Sequence, residues 1–148
     1  MLQGLPKTVE KQNGETAIIT GIYSYDIFRH LVRQEQARIQ RNGTQSFLGR
    51  VDIICADVSK MSEEGAVTLQ KELSKVLKNY INEHDMVSSR SAIEYFFMIS
   101  DTTPEFAEQL VGVIEYNFEA LIKSNVEVEE IKIEVKVDLL TPEISMEG

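Results

Sequence analysis

The segment from Ile93 to Ile99, with the sequence IEYFFMI, constrains the fold most strongly because it places large apolar side chains at neighbouring positions. Side chains alternate between the two faces of a β-strand, so Tyr95 and Phe97 point to one face and Phe96 points to the other. The segment therefore predicts a strand that packs against apolar side chains on both faces.

Three segments have the periodicity and the end signals of amphipathic helices. The first follows Ser24, a suitable N-cap, and stops at RNGT, residues 41–44. The second begins near Ser62, and the third begins at TPEF, residues 103–106, where threonine precedes proline at the first helical position.

Four segments have the composition of strands: residues 47–58, a short one around 86–87, residues 93–99, and the alternating residues 131–137. The small polar stretch SSRSA, residues 88–92, predicts a turn between the second and the third of them. After a leading helix, the order is strand, helix, strand, strand, helix, strand. We therefore predict an α+β fold, a ferredoxin-like βαββαβ antiparallel sheet with its helices on one face and a leading N-terminal helix.

The chain of 148 residues predicts one domain. Residues 1–15 have no period and are expected to be a flexible lead-in, residues 16–140 the domain, and residues 141–148 a tail. The 43% apolar and 26% charged content is typical of a soluble protein. No apolar run approaches the roughly 20 residues of a membrane span.

The net charge of −9 argues against nucleic-acid binding, which needs clustered basic residues. The single cysteine, Cys55, excludes an internal disulfide and agrees with a reducing, cytoplasmic location. The two histidines have no second histidine or cysteine at ligand spacing, so neither a metal nor another cofactor is expected.

The order of elements and several residues resemble the GGDEF domain of diguanylate cyclases, over residues 16–140. That family opens with a pattern close to D-x-L-T-G-L-x-N-R-R-x-F, and the corresponding stretch here is AIITGIYSYDIF, residues 17–28. The positions that match in kind are Ile19, Thr20, Gly21, Ile22 and Phe28. Those that depart are Ala17, Ser24, Tyr25 and Asp26.

The resemblance also implies where a nucleotide site would lie. In an active cyclase the turn between the second and third strands reads G-G-(D/E)-E-F, and its glycines let the backbone approach the nucleotide. The acid at the third position and an aspartate on the first strand hold metal ions that bridge the triphosphate. Here the aligned residues are Ser91, Ala92, Ile93, Glu94 and Tyr95, and Asp57 or Cys55 falls at the strand position. Isoleucine does not ligate a metal, so the resemblance implies that this chain is not a cyclase.

An inhibitory product site of the family has the pattern R-x-x-D just before the signature. The equivalent here is NEHD, residues 82–85, which keeps Asp85 but has Asn82 in place of the arginine, with Arg90 as a substitute. The residues expected to contact a nucleotide are therefore Asp85, Arg90, Ser91, Ala92 and Glu94. Three of the residues considered for the site also have a simpler interpretation: Glu94 as a solvated or turn-capping residue, Asp57 as a turn cap, and Arg90 as a solvated turn residue.

Three hypotheses for the function remain open. The first is a non-catalytic GGDEF-like regulatory or interaction module, as a homodimer or with a protein partner, that senses cyclic di-GMP or a guanine nucleotide such as GTP. The second is a divergent nucleotide-binding enzyme with residual metal-dependent activity through Asp57 and Glu94. The third is a structural domain that binds a protein partner and no nucleotide.

Overall fold

The computed structural model describes residues 21–55, 60–82, 85–125 and 130–146. This part of the chain forms, in order, β1 (Ile22–Tyr23), α1 (Tyr25–Asn42), β2 (Ser46–Ile54), α2 (Glu63–Asn79), β3 (Met86–Ser91), β4 (Glu94–Ser100), α3 (Pro104–Asn125) and β5 (Lys132–Leu139). The three predicted helices and the four predicted strands are all confirmed.

The sheet has five strands in the order β1-β3-β4-β2-β5. Strand β2 pairs antiparallel with β4 and β5, and β3 pairs antiparallel with β4, which is the predicted βαββαβ arrangement. The prediction of a purely antiparallel sheet is wrong at one edge, where the two-residue β1 runs parallel to β3. Such a short strand has no period that a sequence pattern could reveal.

The helices begin and end where local chemistry indicates. The side chains of Ser24, Ser62 and Thr103 each accept a hydrogen bond from the backbone N–H three residues later, at 3.4, 3.1 and 3.3 Å. Gly43 ends α1 with a φ of +70°, a left-handed conformation that glycine adopts without strain. None of the described helices is both long enough and apolar enough to cross a membrane.

Helices cover both faces of the sheet. On one face, α2 and α3 pack against alternate residues of the strands, including Tyr95, Phe97 and Ile99. On the other face, Phe28 and Val32 of α1 pack against a smaller cluster that includes Phe96, Met98 and Leu140. The two helices of the predicted βαββαβ unit, α2 and α3, thus share one face as expected. The leading helix α1, for which no face was predicted, covers the other, because Phe96 and Met98 point away from α2 and α3.

The chain after β5 contacts α1. Leu140 is 2% exposed, and the side-chain nitrogen Nε2 of Gln36 donates to the carbonyl oxygens of Thr141 and Ile144, both at 2.8 Å. Residues 141–146, expected from the sequence to be a tail, thus lie along the first helix in this structure.

Candidate functional site

The turn that resembles the cyclase signature is shorter than the sequence predicts. Strand β3 continues to Ser91, and only residues 92 and 93 lie between it and β4. The prediction of a turn over SSRSA is wrong for residues 88–91, because β3 extends through them: Ser88 and Ser89 pair with Phe96 and Tyr95, and Ser91 pairs with Glu94. The register shifts between Ser89 and Ser91, which is a bulge at Arg90.

The turn is closed by its own side chains. Ser91 Oγ accepts from the backbone N–H of Ile93 at 3.2 Å, and the Tyr95 hydroxyl donates to the Ala92 carbonyl at 2.8 Å. Burial raises the pKa of Tyr95, so this hydroxyl keeps the proton that it donates. The carbonyl of Ile93 accepts from the backbone N–H of Ile53 at 2.9 Å. Three polar backbone groups of this turn are therefore already bound within the protein.

Beneath the turn lies the main apolar core. Ala92 is 9% exposed, and Ile93 packs against the core cluster that contains Tyr95 and Phe118. The rings of Tyr95 and Phe118 meet edge to face, with centroids 5.3 Å apart. The side chains that replace the family's glycines and third acid thus include two apolar groups that contribute to packing.

Glu94 is held between two guanidinium groups. Its Oε2 lies 2.8 Å from Nη2 of Arg50, and its Oε1 lies 3.1 Å from Nε of Arg90. Arg50 also bonds Asp52 through Nε at 2.8 Å, and this hydrogen bond raises the pKa of Arg50. Glu94 is therefore neither a solvated residue nor a turn cap, and its carboxylate is engaged in charge-assisted hydrogen bonds.

Both arginines also stack on aromatic rings. The guanidinium carbon of Arg90 lies 4.7 Å from the ring centre of Tyr25, and that of Arg50 lies 5.3 Å from that of Phe96. The simpler interpretation of Arg90 as a solvated turn residue is wrong, because the bulge directs it onto the first residue of α1. Two cations and two anions (Arg50, Arg90, Asp52 and Glu94) balance within this cluster.

Asp85 lies at the opposite end of β3 from the turn. It is 3% exposed, and its Oδ1 accepts from the backbone N–H of Ser100 at 3.0 Å. Arg90 lies five positions after Asp85 along the extended chain, roughly 16 Å away at the rise of a β-strand. The structure therefore brings Arg90, Ser91, Ala92 and Glu94 together but does not bring Arg90 to the place that Asn82 occupies before Asp85.

Lys78, which was not predicted as a site residue, holds the segment before β3. Its Nζ lies 2.6 Å from the carbonyl oxygen of Asp85 and 3.0 Å from that of Asn82. The same side chain lies over Gly21, whose φ of +88° and lack of a Cβ admit it. The one signal in the sequence is Gly21, three residues before the N-cap of α1.

A second polar cluster, which was also not predicted from the sequence, lies along the second half of α1. Glu35 is 8% exposed; its carboxylate accepts from Arg38 at 2.9 and 2.7 Å and also from the Ser46 hydroxyl. Burial opposes the charge of Glu35, but the hydrogen bonds from Arg38, Ser46 and Ser100 together hold its pKa below the usual value. The signal in the sequence that could have found this cluster is the i,i+3 spacing between Glu35 and Arg38.

Beside this cluster runs a groove of about 490 Å³. It is lined by Leu31, Gln34, Glu35, Ala37, Arg38, Arg41 and Met86. Met86 follows Asp85 directly, so the groove lies near the position of the predicted product site.

The metal hypothesis depends on Asp57, which lies outside the described residues. Cys55, the other candidate for that position, packs partly against the main core. Within the described ranges, no three histidine, cysteine, aspartate or glutamate side chains are placed to hold a metal ion.

The chain matches no protein-family model and no curated protein. It is similar in structure to a DGC protein from Thermotoga maritima, with 20% identity, a TM-score of 0.58, and 87% of this chain and 88% of that one covered. The active GGEEF domain of a diguanylate cyclase from Vibrio cholerae has 18% identity and a TM-score of 0.63, with 78% and 74% covered. The GGDEF domain of DgcB from Caulobacter crescentus, in complex with c-di-GMP, has 11% identity and a TM-score of 0.68, with 92% and 83% covered.

These similarities establish the fold of the chain. It has the GGDEF fold, as the resemblance in sequence implied.

Proposed function

We propose that this chain is a GGDEF-like module without cyclase activity that acts in regulation or interaction. The closed turn is the observation that carries the proposal. At the positions aligned with the family's second glycine and its acid, Ala92 is 9% exposed and Ile93 packs against the core, and the Tyr95 hydroxyl donates to the Ala92 carbonyl. A nucleotide that approached this backbone would have to displace packed side chains.

The state of Glu94 supports the same proposal. A general base or a metal ligand needs a lone pair directed at the substrate or the ion. Both carboxylate oxygens of Glu94 instead accept hydrogen bonds from Arg50 and Arg90. Freeing them would leave two guanidinium groups with a lost partner in a partly buried site.

Turnover of GTP tests the proposal against the enzyme hypothesis. The purified chain is incubated with GTP and either Mg²⁺ or Mn²⁺, and cyclic dinucleotide, guanosine diphosphate and phosphate are separated by chromatography. We expect no product above the protein-free control. A product that Asp57→Asn abolishes, and that the exposed control Glu72→Gln on α2 leaves unchanged, would overturn the proposal and establish the divergent enzyme.

The ligand that we propose for the module is a cyclic dinucleotide or a guanine nucleotide. The groove beside α1 supports this, since it has a volume in the range of ligand sites and its lining includes the guanidinium group of Arg41. The neighbouring guanidinium of Arg38 is already engaged with Glu35 and Asp101. Guanidinium groups suit phosphate and guanine edges because they donate two parallel hydrogen bonds.

Calorimetric titration with cyclic di-GMP and with GTP, each with and without Mg²⁺, tests the ligand. Metal-independent binding that Arg41→Glu weakens about tenfold, and that Arg33→Glu on an exposed part of the same helix leaves unchanged, would support the groove. An absence of heat with either ligand would instead favour the third hypothesis, a domain that binds only a protein.

A further inference from the structure

Strand β5 lies at the edge of the sheet. It pairs on one side with β2, and within the described residues no strand pairs with its other side. The backbone N–H of Leu140 donates to the carbonyl of Ser46 at 2.8 Å, which fixes the alternation of hydrogen bonds along this pair. The even-numbered residues therefore bond to β2, and the N–H and C=O groups of Ile133, Val135 and Val137 point outward.

The charged side chains of β5 are poorly matched to β2. They alternate in sign along one face of the strand: Lys132, Glu134, Lys136 and Asp138. In the register with β2, Lys136 lies opposite Arg50 and Glu134 lies opposite Asp52, so both pairs have like charges. Like charges directly opposite each other across a sheet are destabilising.

Few contacts within the protomer offset this repulsion between like charges of β5 and β2. Lys132 lies 3.2 Å from Glu134 on the same strand, but both side chains are exposed, and such pairs contribute little. In the part of the chain that the structure describes, Lys136 has no ion pair. The charges of β5 are thus not explained by its neighbour in the sheet.

We propose that the outer edge of β5 pairs with the same edge of a second copy of this chain, antiparallel, about a two-fold axis through Val135. In that register Lys132 faces Asp138 of the second copy, and Glu134 faces Lys136 of the second copy. By symmetry each of these opposite-charge pairs occurs twice. The outward backbone groups of Val135 meet those of its own copy, and those of Ile133 meet those of Val137, as an antiparallel ladder requires.

The charges also select this register over its neighbours. An axis through Glu134 places Glu134 against itself and Lys132 against Lys136. An axis through Lys136 places Lys136 against itself and Glu134 against Asp138. A two-fold axis that passes between two residues would place the outward backbone groups of one copy opposite residues whose backbone groups already bond to β2. The hydrogen bonds of an antiparallel ladder could then not form. Axes through Ile133 or Val137 keep the ladder and also pair opposite charges, but they overlap fewer residues of β5. Among the registers that satisfy both the hydrogen bonds and the charges, the one about Val135 therefore has the longest overlap.

The same charges protect the edge from other strands. Charged residues on an edge strand discourage pairing with an arbitrary partner, whereas a second copy presents the complementary pattern. The half-buried side chains of Ile133, Val135 and Val137, which pack against the main core, gain cover from the same pairing. One short strand buries a small area, so we expect a weak, concentration-dependent dimer. This inference does not depend on the proposed function.

Sedimentation equilibrium of the full chain and of charge-reversed variants tests the inference. The unaltered chain is expected to form a dimer. Glu134→Lys and Lys136→Glu each turn two symmetric attractive pairs into repulsive ones, and each is expected to raise the dimer dissociation constant about tenfold or more. Neither should weaken the fold, because each substituted side chain faces an opposite charge on β2, Asp52 or Arg50.

Two combinations make the test specific. The double swap Glu134→Lys/Lys136→Glu restores the opposite pairs and should restore the dimer, and an equimolar mixture of the two single variants should form a mixed dimer. Glu72→Lys on α2, whose side chain is 49% exposed, is the control and should change nothing. A monomer at every concentration, a dimer indifferent to the single reversals, or a failure of both combinations to restore it would each overturn the proposal.

Discussion

The two faces of the sheet are built differently. On the face under α2 and α3, the inward side chains of β2 and β4 are large, apolar and fully buried, as with Val51, Tyr95, Phe97 and Ile99 at 0% exposure. On the face under α1, an apolar patch around Phe96 and Met98 gives way toward the turn to a cluster of paired charges.

The difference follows from where α1 begins. Its first residue, Tyr25, lies against Phe96 and under Arg90, and beyond it no described helix covers this end of the sheet. Paired arginines and carboxylates therefore take the place of apolar packing there. Apolar burial contributes kilocalories per side chain, whereas partly exposed ion pairs contribute much less. The face under α2 and α3 should thus provide most of the stability.

The largest expected effect comes from truncating a buried side chain on the face under α2 and α3. Phe97→Ala should lower the free energy of unfolding by about 3–5 kcal/mol, because it leaves a cavity in the main core. Urea unfolding followed by circular dichroism measures the loss. Tyr116→Ala, at a side chain that is 74% exposed, is the matched control and should stay within about 0.5 kcal/mol of the unaltered protein. A small loss for Phe97→Ala would contradict the division between the faces.

An intermediate effect is expected at Glu35, the buried carboxylate on the α1 face. Glu35→Gln should cost about 1–3 kcal/mol at neutral pH, since Arg38 and Ser46 lose a charged acceptor. The same variant should change how stability depends on pH.

The direction of the pH effect follows from the lowered pKa of Glu35. The unfolded chain takes up this proton first as the pH falls, so the stabilising contribution of Glu35 is present above about pH 4.5, the ordinary pKa of a glutamate, and is lost below it. Unfolding curves between pH 3 and pH 7 should therefore be flatter for Glu35→Gln. Asp26→Asn, at a side chain that is 85% exposed, should keep the original slope. Equal slopes for Glu35→Gln and the unaltered protein would show that Glu35 contributes nothing to acid sensitivity.

The smallest effect is expected in the charged cluster. A double-mutant cycle of Arg90→Ala and Tyr25→Leu isolates the contact between the guanidinium and the ring. We expect a coupling energy of about 0.5–1 kcal/mol, typical of a partly exposed pair. A coupling energy of 2 kcal/mol or more would mean that this cluster contributes to stability on the scale of the core.

Much of the fold could be predicted from local sequence. The caps Ser24, Ser62 and Thr103 and the helical periods are properties of short segments, and they located all three helices. The alternation of Tyr95, Phe96 and Phe97 likewise predicted burial on both faces. This alternation did not indicate which helix covers the second face, because the contact between Phe96 and Phe28 joins residues far apart in sequence.

The site was less predictable because its geometry depends on strand register. Arg50 and Glu94 meet only because β2 and β4 align, although 44 residues separate them. The turn was misplaced because serines favour turns locally, while pairing with β4 extends β3 through Ser91. The buried cluster at Glu35 was missed because its partner Ser46 belongs to the next strand.

The central claim is that the turn at residues 91–94 is closed by packing and is not open to a nucleotide. A titration of isotope-labelled protein with GTP and Mg²⁺, followed by the backbone amide resonances of Ala92, Ile93 and Glu94, tests this most directly. We expect no saturable change in the chemical shifts of these amides. Saturable shifts there, lost on Asp57→Asn, would contradict it and show that the turn still receives a nucleotide.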